Sequence, residues 1–327
     1  MNAAGPQPSL RPLGVGEVLD RAVTLCVKHF VVLATIFIVY AIPFAILQFF
    51  GGRDLARLMG VLTAALGTTS AGGKAADPTR LASVLASLPP LGAWYPLLLV
   101  TIFFLGPLPA AALIEACAAL YLGRVASFTA AYGTALRRWP HLIVLNVLYA
   151  FAGIVLYAVL ILAVVAMTLG LAAVTAAAHV LGVALAVALG LAALVAGIVF
   201  FIVASLALQV SYFTCVVERA NAVTAFMLGL RRVFVGVGFV RSLLVGVAYL
   251  AIGLGVTLVT LVGESVLVGF LHSQVAGSVY SALVRLATAA FTTAFIAIFY
   301  FDLRVREEGL DLQLDAERAR AQVVPSV

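Results

Sequence analysis

Glu115 is the residue whose type and place point most directly to chemistry. It stands in an apolar stretch nine positions before Arg124, so about 13 Å along a continuous helix from that basic exit. A carboxylate there lies inside the hydrocarbon of a membrane, where charge is costly and a side chain faces a bundle interior or water. It is therefore a candidate proton-exchanging or ligand-binding group. The alternative is structural: a carboxylate that snorkels, stays protonated or hydrogen-bonds a neighbouring helix. Glu264 and Arg285 form a second candidate, an ion pair bracing the last hairpin. From Leu286 to Phe301 the chain spans about 24 Å of helix, short of the ~30 Å hydrocarbon core. Arg285 is thus expected near the outer boundary, where its charge also hints at an anionic lipid headgroup.

Other chemistries lack their residues. Gly72-Gly73-Lys74 resembles a phosphate loop, but Thr68 stands where the first glycine belongs and Ala75 replaces the Ser/Thr, so it reads as a flexible linker. No HExxH, GxSxG or paired-carboxylate arrangement occurs. His29, His141, His179 and His272 are scattered, and Cys26, Cys117 and Cys215 form neither a disulfide framework nor a metal pattern. No metal or cofactor is expected.

The elements that must carry these residues are set by lipid. The chain has 65% hydrophobic and 10% charged residues, against about 25% charged in soluble proteins. Between Arg138 and Glu218 it carries no Asp, Glu, Lys or Arg over 79 residues. No charged stretch of domain length exists, so no soluble domain is expected. The first long apolar region begins only at Phe30, so a cleavable signal peptide is not expected. Six spans are expected, at about 30–50, 94–122, 142–167, 184–215, 240–262 and 279–301. Gly106-Pro107-Leu108-Pro109 should kink the second span and Pro43 should bend the first.

Charge sets orientation. Basic residues flank both ends of the charge-free run, so the number of crossings between them is even, with an uncharged turn near Ala176-Ala177-Ala178-His179. Fourteen of the nineteen basic residues fall on one side of this topology, which puts both termini in the cytoplasm. The net charge of +6 thus follows membrane orientation and implies no nucleic-acid partner. With seventeen Arg to two Lys and heavy Ala, Val, Leu and Gly usage, the composition suggests a GC-rich bacterial genome and hence a bacterial inner membrane.

Basic elbows recur before spans: Lys28-His29-Phe30, Arg137-Arg138-Trp139 and Arg231-Arg232-Val233. Each follows a helix-like segment. In the first, Glu17, Asp20, Arg21, Thr24 and Lys28 share one face, while Val15, Val18, Leu19, Ala22 and Cys26 share the other. That predicts an interfacial amphipathic helix with its apolar side in the acyl boundary. Ser127 and Asn221 are the expected N-caps of the second and third. The expected fold is therefore all-α, a polytopic transmembrane helix bundle of six spans in three hairpins, each preceded by an elbow helix. Residues 1–29 form a cytoplasmic N-terminus, 30–301 the membrane domain with an external loop at 51–93, and 302–327 a cytoplasmic tail. In that loop Asp77-Pro78 should start a short surface helix. Gly182, Ala186 and Gly190, with Ala193 and Gly197, form a small-residue stripe for close helix packing.

The opening Leu10-Arg11-Pro12-Leu13-Gly14-Val15-Gly16-Glu17-Val18-Leu19-Asp20-Arg21-Ala22 and the closing Tyr300-Phe301-Asp302-Leu303-Arg304-Val305-Arg306-Glu307-Glu308-Gly309-Leu310-Asp311-Leu312 are the most distinctive runs. Together with Leu122-Gly123-Arg124 and Glu218-Arg219, they resemble the bacterial family named for the glycerophosphoryl diester phosphodiesterase membrane domain. In some members that domain is fused to a catalytic phosphodiesterase. A barrel of that kind needs roughly 200 or more residues, and after the last expected span only 26 follow. The resemblance thus implies a fold and a location, not phosphodiesterase activity.

The leading functional expectation is a non-enzymatic integral membrane protein that organises or moves lipid or amphipathic solutes, with membrane lipids and other membrane proteins as partners. A second is a secondary transporter or channel using Glu115. A third, an intramembrane enzyme, would need at least two polar groups converging within the bundle. Whether Glu115 shares a cavity with Asn146 or Gln209 discriminates among them.

Overall fold

Residues 11–70, 94–177, 179–235, 239–310 and 312–313 are described by a computed structural model; for 52–70 and most of 156–187 this extends to the backbone only. The expectations at Gly72-Gly73-Lys74, Asp77-Pro78 and the tail after residue 313 lie outside the described residues, as do the side chains of Gly182, Ala186 and Ala193.

Among the described residues the chain is all-helical, with six helices long and apolar enough to cross a membrane. In chain order the described elements are α1 (Val15–Ser70), α2 (Trp94–Val100), a π-helical turn (Thr101–Leu105), α3 (Pro107–Tyr121), α4 (Phe128–Ala177), α5 (His179–Val217), α6 (Ala222–Phe234), α7 (Phe239–Leu271) and α8 (Gln274–Glu308). Long apolar side chains remain exposed on the outside, among them Phe151 at 67% and Phe270 at 84%. Lipid is the solvent in which such a surface is stable.

The three elbows join their spans in three ways. In α1 the backbone leaves helical angles at His29, at the expected basic elbow, while Pro43 is carried within helical angles. The second elbow runs unbroken through Pro140 into its span, and the third is a separate helix, α6. Ser127 Oγ accepts the Ala130 N–H at 3.3 Å and Asn221 Oδ1 accepts the Thr224 N–H at 2.8 Å, so both expected caps are made. α1 continues to Ser70, well past residue 50. Leaving the hydrocarbon does not end a helix unless the sequence supplies a stop, and residues 53–66 contain no proline.

One expectation about the first elbow is corrected. Its apolar face packs on protein rather than on acyl chains: Val18 and Ala22 are 0% exposed and join the main core. Leu19, placed on that face from sequence, is exposed together with Val23 and Val27. The helix therefore has three faces, with the polar one carrying Asp20, Thr24 and Lys28. A hydrophobic face in contact with a preformed bundle gains close packing that fluid lipid does not supply.

The spans close into a ring. α1 packs against α2 and α3, α3 against α4, α4 against α5, α5 against α7, α7 against α8, and α8 returns to α1. The core concentrates at the end where both termini of the described chain meet, hereafter the near face. There Phe213, Phe295, Phe299, Tyr300 and Phe301 are buried, with the small side chains of Ala111, Ala112, Ala116 and Cys117 around them.

The expected break in the second span is the π-helical turn. Pro107 and Pro109 have no N–H to donate, so carbonyls one turn earlier lose their helical donors. Gly106 N–H bonds Thr101 O instead, at 2.9 Å. α4 supplies two replacements: Trp139 Nε1 donates to Phe104 O at 2.7 Å, and Asn146 Nδ2 to Phe103 O at 3.1 Å. Carbonyls freed in an apolar region are thus satisfied by side chains of the next span.

Candidate functional site

Two ionic networks seal the near face. Arg232, on α6, is only 4% exposed. Its guanidinium donates to Glu218 at 2.5 and 3.1 Å, to Glu308 at 2.5 Å and to Thr214 Oγ1 at 2.9 Å. Arg304 pairs with Glu308 at 2.8 Å, and the Tyr300 hydroxyl donates to Glu218. Burial would lower the Arg232 pKa, but the hydrogen bond it donates to Glu218 and the charges of Glu218 and Glu308 outweigh it and hold the group above the ordinary arginine range.

The second network centres on Asp302, whose side chain is 0% exposed. Its carboxylate accepts from Arg241 at 2.7 Å, from Arg306 at 3.1 Å and from the Leu13 backbone N–H at 2.7 Å. Arg241 and Arg306 also donate to Leu13 O, at 2.5 and 3.0 Å. The opening and closing runs of the sequence are therefore one structure, with the N-terminal strap tied to the end of the last helix. Glu17 pairs with Arg11 at 2.6 Å and Arg21 at 3.3 Å, and Arg21 also donates to Tyr121 Oη at 3.4 Å.

Beyond this seal lies a cavity of about 920 Å³ lined by all six spans. Its near end is Ile114, Phe213 and Ile296; Arg285 and Gln48 mark positions further from the near face. The walls are aromatic and apolar, with Tyr40, Asn146, Tyr149, Gln209, Tyr212 and Tyr249 presenting polar tips. Asn146 is held between Phe103 O and the Tyr212 hydroxyl, which donates to its Oδ1. Tyr149 and Ser211 share a hydrogen bond of 2.8 Å. Thr288 and Thr292 donate to their own helix carbonyls, leaving oxygen lone pairs toward the space. By contrast, the Gln48 and Gln209 amides and the Tyr40 hydroxyl have no hydrogen-bond partner among the described residues. The described lining contains no carboxylate, imidazole or thiol, and Arg285 is its one formal charge. The volume falls within the roughly 300–1,000 Å³ range of ligand pockets.

Glu115 lines a different recess, of about 260 Å³, with Arg124, Ser127 and Arg219. Its carboxylate feels Arg219 and Arg124 without an ion pair within bonding range among the described residues. The structure therefore separates Glu115 from Asn146 and Gln209, which share the large cavity. Nor do Glu264 and Arg285 pair: no ion pair joins them among the described residues, and the guanidinium lies 5.6 Å from the Phe44 ring centroid instead. Glu264 packs beside Gly277. Direction explains the difference, since the cavity offers Arg285 an aromatic face and polar neighbours.

Among the elbow residues, Asp20, Lys28, Arg137 and Arg231 are exposed and Arg138 is half-buried, while Arg232 is the buried hub. Sequence reading missed Glu218, Arg241, Tyr300 and Asp302 as network members. A signal was present: Tyr300, Arg304 and Glu308 recur every four residues, as do Asp302 and Arg306, drawing two polar stripes on one helix. Comparison with protein-family models, curated proteins and solved structures finds no match to this chain.

Proposed function

We propose that this chain is a non-enzymatic integral membrane protein of a bacterial cytoplasmic membrane that holds an amphipathic guest, a lipid or an amphipathic solute, and organises or moves it. We also propose membership of the glycerophosphoryl diester phosphodiesterase membrane-domain family, with both termini cytoplasmic. The observation that carries the functional reading is the cavity lined by all six spans, with unpartnered amides and one cation set among aromatic walls. A guest with polar and apolar parts satisfies both kinds of surface. The absence of carboxylate, imidazole and thiol from the described lining favours holding over catalysis.

The test is binding and transfer of a fluorescent, neutral short-chain phospholipid by the purified protein in detergent and in vesicles. Thr292→Phe pushes a ring into the cavity between its walls and is expected to lower retention markedly. Equal retention by the variant, shown to be folded by its thermal midpoint, sinks the reading. Reporter fusions at both ends, active only in the cytoplasm, test the orientation.

A second reading, a secondary transporter or channel, draws support from the recess at Glu115, which lies on the opposite side of the buried core from the main cavity. Glu115→Gln would then abolish coupled uptake; unchanged uptake removes this reading.

A further inference from the structure

The wall of the cavity between α1 and α8 is thin. Ala41, Ala45 and Ala282 line both the cavity and a second, outward-facing groove of about 380 Å³. That groove is almost wholly apolar, walled by Ile42, Ile46, Phe49, Val279 and Leu283 among others. Ile42, Ile46, Val279 and Leu283 are each more than half exposed, so the groove looks onto lipid. A chamber with polar tips and one cation thus adjoins a wholly lipid-facing apolar groove across three alanines.

Arg285 stands where they meet, on the same helix as Ala282. It has no carboxylate partner among the described residues. Its guanidinium lies over Phe44, about 21 Å along α1 from Phe30, within the ~30 Å depth of hydrocarbon. A cation at that depth requires an anion or water to remain charged. Gln48 and Tyr40, whose polar tips have no hydrogen-bond partner among the described residues, line the same chamber and can complete the coordination of an oxyanion.

We propose that the cavity and the groove form one site for a phospholipid with a net-negative headgroup. Its phosphate meets Arg285 inside the ring, and an acyl chain remains in the α1/α8 groove, in contact with the bilayer. This inference rests on the guest-holding reading above and names its guest. Charge complementarity selects the headgroup, and the apolar groove adjoining the chamber across small side chains selects an acylated rather than a soluble anion. The three alanines make that wall thin enough for an acyl chain to pass between the helices, and larger side chains there would close it.

The full-length protein in detergent is titrated with phosphatidylglycerol and, separately, phosphatidylcholine of the same chains, and bound lipid is counted by native mass spectrometry. Phosphatidylglycerol is expected to bind about tenfold more tightly, because the choline cation of phosphatidylcholine offsets its phosphate charge beside Arg285. Arg285→Gln removes the preference and Arg285→Lys keeps most of it. Arg285 is exposed, so the folded state tolerates both variants. Ala45→Trp, which narrows the passage, lowers binding of both lipids. Glycerol 3-phosphate at millimolar concentration leaves the bound lipid in place. Displacement by glycerol 3-phosphate would show a site for a free phosphate and overturn the acyl part. Equal binding of the two lipids by the unaltered protein would overturn the headgroup assignment while leaving the guest-holding function standing. Retention of neither lipid would overturn both.

Discussion

Asp302 and Arg232 show why a chain with so few charges buries two of them. Each is the hub of a network in which every neighbour carries the opposite sign or a matching dipole. Breaking such a hub costs more than the pair contributes, because partners stay behind in a dry site. Asp302→Ala leaves Arg241 and Arg306 facing each other and the Leu13 N–H unpaired. It is expected to destabilise the protein by about 3–5 kcal/mol, read as a lowered thermal midpoint in detergent. Arg232→Ala should cost a similar amount, and adding Glu218→Gln should recover part of it by removing a stranded carboxylate. Additive losses in that double-mutant cycle would disprove the coupling.

At the scale of elements, close approach is decided by single residues. α6 lies on α5 at Gly229, where an added Cβ would overlap Ser211 Oγ and come within 2.9 Å of Ala207 O. Gly229→Ala is therefore expected to cost about 1–3 kcal/mol, since one of the two neighbours is backbone. Gly253→Ala on α7 meets nothing within 4 Å and should leave the thermal midpoint unchanged or slightly raised. The proline break makes a second element-level prediction. Asn146→Leu removes the donor to Phe103 O and the acceptor for Tyr212, so it should destabilise by about 1–3 kcal/mol. A midpoint equal to that of the unaltered protein would mean that another donor reaches that carbonyl.

For the whole molecule, the division into a central cavity and a near-face recess is the property that function must use. The buried aromatic core between them predicts that they do not communicate in this conformation. Cysteines at Gln48 and Ala119 report on the two spaces, and the native Cys26, Cys117 and Cys215 are buried, which keeps the background low. A membrane-impermeant maleimide is expected to label Gln48→Cys only from the face away from the termini and Ala119→Cys only from the near face. Labelling of both from one side would show a continuous pore.

The sequence alone determined the solvent, the helical class and the six crossings, because these depend on composition and span length. A run of 79 residues without Asp, Glu, Lys or Arg has few stable settings other than lipid. It also determined the elbows, the caps at Ser127 and Asn221 and the break before Pro107, which are local in origin. Tertiary structure alone decided which residues meet. Leu13 and Asp302 are 289 positions apart, and nothing in either run specifies the other as partner. The same holds for the site: Glu115 drew notice as an isolated carboxylate, whereas the cavity takes its charge from Arg285. Which face of a transmembrane helix turns inward depends on small differences in packing, since lipid and protein are almost equally apolar. Periodicity is therefore weak inside a membrane, and the assembled ring is what brings the polar tips of six spans into one space.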